Sequence, residues 1–181
     1  MSESSSDAVR QLDRAPRAAA IERLRACCGA RRWVEAMADH RPFGDLETLL
    51  GAADAAWTDL EPADWREAIE HHPRLGGRDL TARKFDHTRS VSREEQSGVL
   101  DATAAIRQAL GEAQREYEKR FGFIFLIRAS GRSADEILSD LRRRMTNDPE
   151  TELAIVAREL EEIGRLRLEQ QFGAEGNRGS G

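Results

Sequence analysis

The chain has two cysteines in 181 residues, Cys27 and Cys28, and they are neighbours. Adjacent cysteines rarely close on one another, and without a second pair there is neither a disulfide framework nor a zinc site of familiar spacing. A reducing compartment fits, and both thiols are expected to serve as packing, since no motif beside them marks an activated nucleophile. Long apolar runs are missing too. No stretch approaches the roughly 20 residues that a membrane-spanning helix needs, and the opening Met1-Ser2-Glu3-Ser4-Ser5-Ser6-Asp7 lacks the basic and then apolar pattern of a signal peptide. Nor is there a surplus of positive charge: 28 basic against 33 acidic residues leave a formal net charge of -5, which gives no field to attract phosphate backbones or anionic lipid. Neither nucleic acid nor a membrane is therefore expected as a partner. The last residues, Gly179-Ser180-Gly181, are not a peroxisomal address of the Ser-Lys-Leu kind, so a cytoplasmic protein is expected. No Gly-rich phosphate loop joins a strand to a helix, no Gly-x-Ser-x-Gly elbow occurs, and His40, His71 and His87 have no metal-type spacing with a carboxylate or cysteine. No metal or nucleotide cofactor is expected.

What is present is a helical alphabet. Ala, Leu, Glu and Arg dominate, β-branched residues are sparse, and apolar positions recur at intervals of three and four. The pattern predicts an all-α, single-domain bundle of about seven to eight helices around one core. Breakers and caps place segments near 17–28, 31–39, 44–57, 62–72, 92–110, 111–121, 133–146 and 148–172. Pro62 suits a first helical turn, Ser133 precedes Ala-Asp-Glu as an N-cap, and Asp148-Pro149-Glu150 is another start signal. Residues 1–16 and 173–181 have little to bury and read as flexible ends flanking a domain at 17–172. Trp33, Met37 and Phe43 belong in the core. Gly122 to Ser130 contains a short apolar stretch, Phe123-Ile124-Phe125-Leu126-Ile127, that reads as extended, and Pro73 to Val91 reads as an irregular loop. Arg74 and Arg132 read as surface or loop charges.

Two polar clusters break the apolar faces. Trp65, Ile69 and His72 fall at i, i+4 and i+7 and share a helix face, while His71 turns away by about 100°. Read locally, His72 caps its own helix C-terminus, which the macrodipole favours. Read with Pro73 and Gly76-Gly77, which fix a sharp exit, the imidazole stands at a cavity edge where it can exchange a proton near neutral pH. Ser92-x-x-Glu95 has the form of a capping box. Yet Ser92, Glu95 or Gln96, Val99, Ala102 or Thr103, Ile106 and Leu110 trace one stripe, so these polar groups continue the apolar face and require partners. In the last helix Leu153, Val156, Leu160 and Ile163 form a seam whose next position is Arg167. Its guanidinium is either a solvent-reaching head on a packed stem or a bidentate clamp for a carboxylate or ureido group.

Several segments taken in order are similar to the family of 2-oxo-4-hydroxy-4-carboxy-5-ureidoimidazoline (OHCU) decarboxylases. They are Cys27 to Trp33 with Arg41-Pro42-Phe43, His72-Pro73-Arg74-Leu75-Gly76, Ser92-Arg93-Glu94-Glu95-Gln96, Tyr117 to Phe125, Gly131-Arg132-Ser133, and Arg165-Leu166-Arg167-Leu168. The resemblance covers residues 17–172. It implies an all-α fold, a homodimer as the usual state, and cofactor-independent decarboxylation of OHCU to (S)-allantoin and CO2 in urate degradation. By position it implies His72 and Glu95 as the catalytic pair. Ser92, Gln96 and Arg167 would be substrate-binding side chains, with Pro73 and the main chain of Phe125, Leu126, Ile127 and Ala129 as pocket lining. The chain departs from the family at His71, where a small residue is commoner, at Ile124, where proline is frequent, and at Arg128, a charge beside the backbone site. Competing readings of the residues are a helical binding module, in which His72, Glu95 and Arg167 satisfy one another as a buried network, and a hydrolase acting on a related ureide.

Overall fold

The computed structural model describes residues 3–72, 104–129 and 131–173. Among them the chain is all helix. Eight helices run in order: α1 (Glu3–Arg14), α2 (Arg17–Arg25), α3 (Arg31–His40), α4 (Leu46–Thr58), α5 (Pro62–Glu70), α6 (Ala104–Phe121), α7 (Ala134–Arg144) and α8 (Pro149–Phe172). They gather into two compact units, one within Met1–Asp64 and Glu161–Gly181, the other within Trp65–Leu160.

In the first unit, α1 packs on α2 and α4, and α3 packs on both α2 and α4. Residues 3–14, expected to be a loose end, are helical because Val9 and Leu12, one turn apart, are fully buried. A Ser-rich opening hides this two-residue apolar face. Ala20 and Leu24 of α2, and Trp33, Val34, Met37 and Ala38 of α3, are buried at helical spacing. The Trp33 indole donates to the Ala53 carbonyl at 3.1 Å, so the ring is polar-satisfied as well as packed. Helix ends are closed by side chains distant in sequence. Arg41 donates to the Leu12 and Ala15 carbonyls at 2.8 and 2.7 Å and to Ala38 at 3.0 Å, covering orphan carbonyls at the ends of α1 and α3. Asp13 accepts the amides of Phe43 and Gly44, both at 2.9 Å, across the turn that holds the cis Arg41–Pro42 bond. Asp45 caps α4 by accepting the Thr48 amide at 2.8 Å.

In the second unit α6 packs on α7. The sequence pattern divides 92–121 between residues 110 and 111; instead α6 runs unbroken through Gly111, whose cost of roughly 1 kcal/mol in a helix interior is borne inside 18 residues of continuous helix. It stops at Gly122, whose φ of 76° suits a glycine just past a helix end. Tyr117, Phe121, Phe123 and Phe125 then form an aromatic cluster, Tyr117 lying 4.6 Å from Phe121 and 5.2 Å, edge-on, from Phe125. Ser133 and Glu136 form the capping box of α7. Asp148 opens α8 by accepting the Thr151 amide at 2.9 Å, as the Asp-Pro-Glu signal implies. Residues 124–129 are neither helical nor paired in a strand.

Candidate active site

His72 follows the last turn of α5, where its amide meets the Ile69 carbonyl at 3.0 Å. The helix turns the predicted face inward: Ile69 is buried, Trp65 and His72 are half-buried, and His71 is exposed. It is His71 that ties its ring back to the helix, donating from Nδ1 to the Glu67 carbonyl at 2.8 Å. Trp65, two turns before His72 on the same face, has a buried indole N–H with no acceptor among the described residues.

The segment Phe125 to Ala129 lies in the same unit as His72. Its residues are buried except Arg128, and its backbone is held from outside. Arg144 donates to the Leu126 carbonyl at 2.9 Å, Glu159 accepts the Arg128 amide at 2.7 Å, and the Arg132 amide donates to the Ala129 carbonyl at 3.1 Å. Ile127 is 5% exposed, yet among the described residues no hydrogen bond engages its amide or carbonyl.

Behind this segment lies a polar network that sequence reasoning missed. Arg144 and Glu152 are 2% and 0% exposed, too deep for ordinary surface charges. Arg144 reaches Glu152 Oε1 from Nε at 2.8 Å and from Nη2 at 2.6 Å, the Tyr117 hydroxyl donates to the same oxygen, and Asn147 donates to Oε2 at 2.7 Å. Burial first, and then the bond to Glu152, hold the Tyr117 hydroxyl protonated well above its ordinary range. The guanidinium also lies 4.6 Å from the centre of the Phe125 ring. In sequence, Arg142-Arg143-Arg144 looks like a basic last turn and Glu152 like an acidic first turn, so both seem satisfied by helix dipoles alone. The one available signal is spacing: residues 137, 141 and 144, and 152, 153 and 156, lie on the apolar stripes of their helices.

Arg167 belongs to the first unit and is buried at 6% exposure, so the head does not reach solvent as a packed-stem arginine would. Its charge is felt at Cys27, where it opposes the effect of burial; burial wins and the thiol is pushed up to about 12. Both cysteines are buried and neither is in a disulfide, and Cys27 Sγ donates to Gln171 at 3.2 Å. Arg132, expected as a plain loop charge, is half-buried and pairs with Asp140. Of the remaining expected site residues, Pro73, Ser92, Glu95 and Gln96 lie outside the described residues.

Residues 13–169 match the family described as OHCU decarboxylase. Among curated proteins, the chain is 36% identical over 137 residues to a 2-oxo-4-hydroxy-4-carboxy-5-ureidoimidazoline decarboxylase of Amia calva, covering 71% of this chain and 73% of that one. To the mouse protein of the same name it is 33% identical over 135 residues, covering 74% and 75%. It is 34% identical over 146 residues to the uric acid degradation bifunctional protein TTL of Arabidopsis thaliana, covering 81% of this chain but spanning 45% of the longer relative. Among solved structures, an OHCU decarboxylase crystallised in the presence of (S)-allantoin superposes with a TM-score of 0.71 at 31% identity, covering 82% of this chain and 96% of that one. An (S)-allantoin synthase at 17% identity and a TM-score of 0.64, covering 91% of this chain and 54% of that one, shares the fold. The chain belongs to the OHCU decarboxylase family.

Proposed function

We propose that the protein converts OHCU to (S)-allantoin and CO2 in urate degradation, with His72 as the catalytic histidine. The observation that carries this reading is the likeness, over 82% of the chain, to an OHCU decarboxylase crystallised with (S)-allantoin present. The substrate bears its carboxylate on a carbon that also carries a hydroxyl and adjoins a C=N bond. When the C–C bond breaks, CO2 leaves and the electron pair moves into that imine. The hydroxyl carbon becomes the carbonyl of the product, the former imine carbon takes up a proton on one face, and one proton is consumed overall. The ring is its own electron sink, so the protein's task is to hold the carboxylate out of the ring plane, stabilise charge on the ring and direct the proton.

Within this reading His72, oriented by Glu95, steers the hydroxyl proton or the carboxylate. Arg167, Ser92 and Gln96 anchor the ureido and ring carbonyl groups, Pro73 shapes the turn beside the histidine, and the backbone of Phe125, Leu126, Ile127 and Ala129 lines the pocket. The amide and carbonyl of the buried residue Ile127, which no described residue engages, support this last assignment, because a ring amide or ureido group offers an acceptor and a donor for them. The proposal includes a cytoplasmic homodimer; no helix among the described residues is long and apolar enough to cross a membrane.

The test is His72→Asn, which keeps a polar side chain of similar reach and removes the titratable imidazole. Loss of most of the rate and of enantiomeric control, with helix content unchanged, is expected. Near-normal turnover would remove His72 from its role. A thermal midpoint that does not rise with millimolar (S)-allantoin would instead favour the helical binding module, because a ligand that binds only the folded state must raise it.

A further inference from the structure

We propose that Arg144 and Glu159 are positioning residues: they hold the 125–129 backbone on either side of Ile127 and so present that residue's amide and carbonyl to the substrate. This inference rests on the pocket assignment above. Arg144 takes the carbonyl of Leu126 and Glu159 takes the amide of Arg128. Leu126 and Arg128 flank Ile127, so one anchor holds the backbone on either side of that residue. Between those two held groups sits Ile127, whose own amide and carbonyl are engaged by none of the described residues. The Ala129 carbonyl is already used by the Arg132 amide.

The anchors differ in what holds them. Arg144 is fixed by Glu152, which is itself fixed by Tyr117 and Asn147, so the guanidinium cannot turn from Leu126 without breaking a buried ion pair. Glu159 is half-buried, and losing its carboxylate leaves one backbone amide in search of an acceptor rather than a buried charge without a partner. Glu159 is therefore the position at which geometry can be perturbed while the fold is spared.

The experiment compares wild type, Glu159→Ala and Glu159→Gln, measuring KM, kcat, (S)-allantoin affinity by calorimetry and the thermal midpoint. Loosening a backbone stretch that holds substrate and transition state alike raises KM and leaves kcat little changed. Glu159→Ala is expected to raise KM and weaken allantoin by about tenfold, the equivalent of roughly one net hydrogen bond. Glu159→Gln, whose amide oxygen can still accept the Arg128 amide, should restore most of both. If the alanine variant loses thermal stability but keeps its KM and allantoin affinity, the residue is merely structural and the proposal fails. Equal losses in both variants overturn it as well, since charge rather than acceptor geometry would then be at work. A wild type that neither binds allantoin nor forms it would remove the underlying function; a wild type that does both, beside an unaffected Glu159→Ala, would remove this inference alone.

Discussion

The two compact units differ in where their ion pairs lie. In the first unit, Arg165 with Asp54 at 2.8 Å and Arg17 with Asp39 at 2.9 Å pair toward solvent, joining side chains that are about half exposed. Such pairs exchange hydration for Coulomb energy at little net gain, and the unit is held instead by apolar helix faces and by Arg41 and Asp13 closing helix ends. The second unit buries Arg144 and Glu152 together. A buried ion pair is not an efficient way to stabilise a fold, because its desolvation cost offsets most of the attraction. What it does supply is a fixed guanidinium aimed at one carbonyl, that of Leu126. The unit that contains His72 and the 125–129 segment thus uses a buried ion pair to orient backbone, a device distinct from the exposed pairs of the first unit, whose buried Arg167 is the exception.

The contrast is sharpest where one partner is removed. Arg144→Met leaves the Glu152 carboxylate buried without its cation and should cost about 3–5 kcal/mol, read as a fall in the urea midpoint with m unchanged. Replacing both partners, Arg144→Met with Glu152→Leu, should recover much of that loss while leaving the Leu126 carbonyl unanchored. If the single change were nearly neutral, the pair would be a surface-like one despite its burial.

A pH titration separates the units by a different group. Cys27 is favoured as the neutral thiol in the fold, its titration raised from an ordinary 9.0 to about 12 mainly by burial. A folded-state value above the unfolded one means that this contribution is fully present below pH 9 and is lost as pH rises from 9 toward 12. The thermal midpoint should therefore fall more steeply over that range in wild type than in Cys27→Ala. Identical slopes would show that the thiol does not sense its burial. Smaller effects belong to the first unit's surface: Asp45→Ala should cost about 1 kcal/mol through the lost cap on α4, and Arg165→Ala roughly 0–1 kcal/mol, both by chemical denaturation. A larger cost for Arg165→Ala than for Arg144→Met would invert the comparison.

Legibility in the sequence followed the range of the interactions. Helices α3, α4, α5 and α7 are close to their predicted bounds; Ser133 announces the start of α7 through a contact three residues away, and Pro62 suits the first turn of α5 by its fixed φ. The inward face of α5 followed from the spacing of Trp65, Ile69 and His72. Helix α1 was missed because its burial depends on two residues whose partners lie elsewhere in the chain, and the Arg144–Glu152 network was missed because each charge suits its own helix end. The segment similarities pointed to the right family, since the order of His72-Pro73, Ser92-x-x-Glu95-Gln96 and Arg167 along the chain carries more information than any local pattern. Which backbone groups of 125–129 are engaged was not readable at all: their engagement depends on side chains from α7 and α8 that reach back 18 and 31 residues.

The most direct test of the account follows allantoin by circular dichroism while OHCU is generated in situ from urate, with wild type, His72→Asn and no protein in parallel. The account predicts rapid formation of the (S) enantiomer with wild type alone. Slow, racemic allantoin at the same rate in all three samples would contradict it.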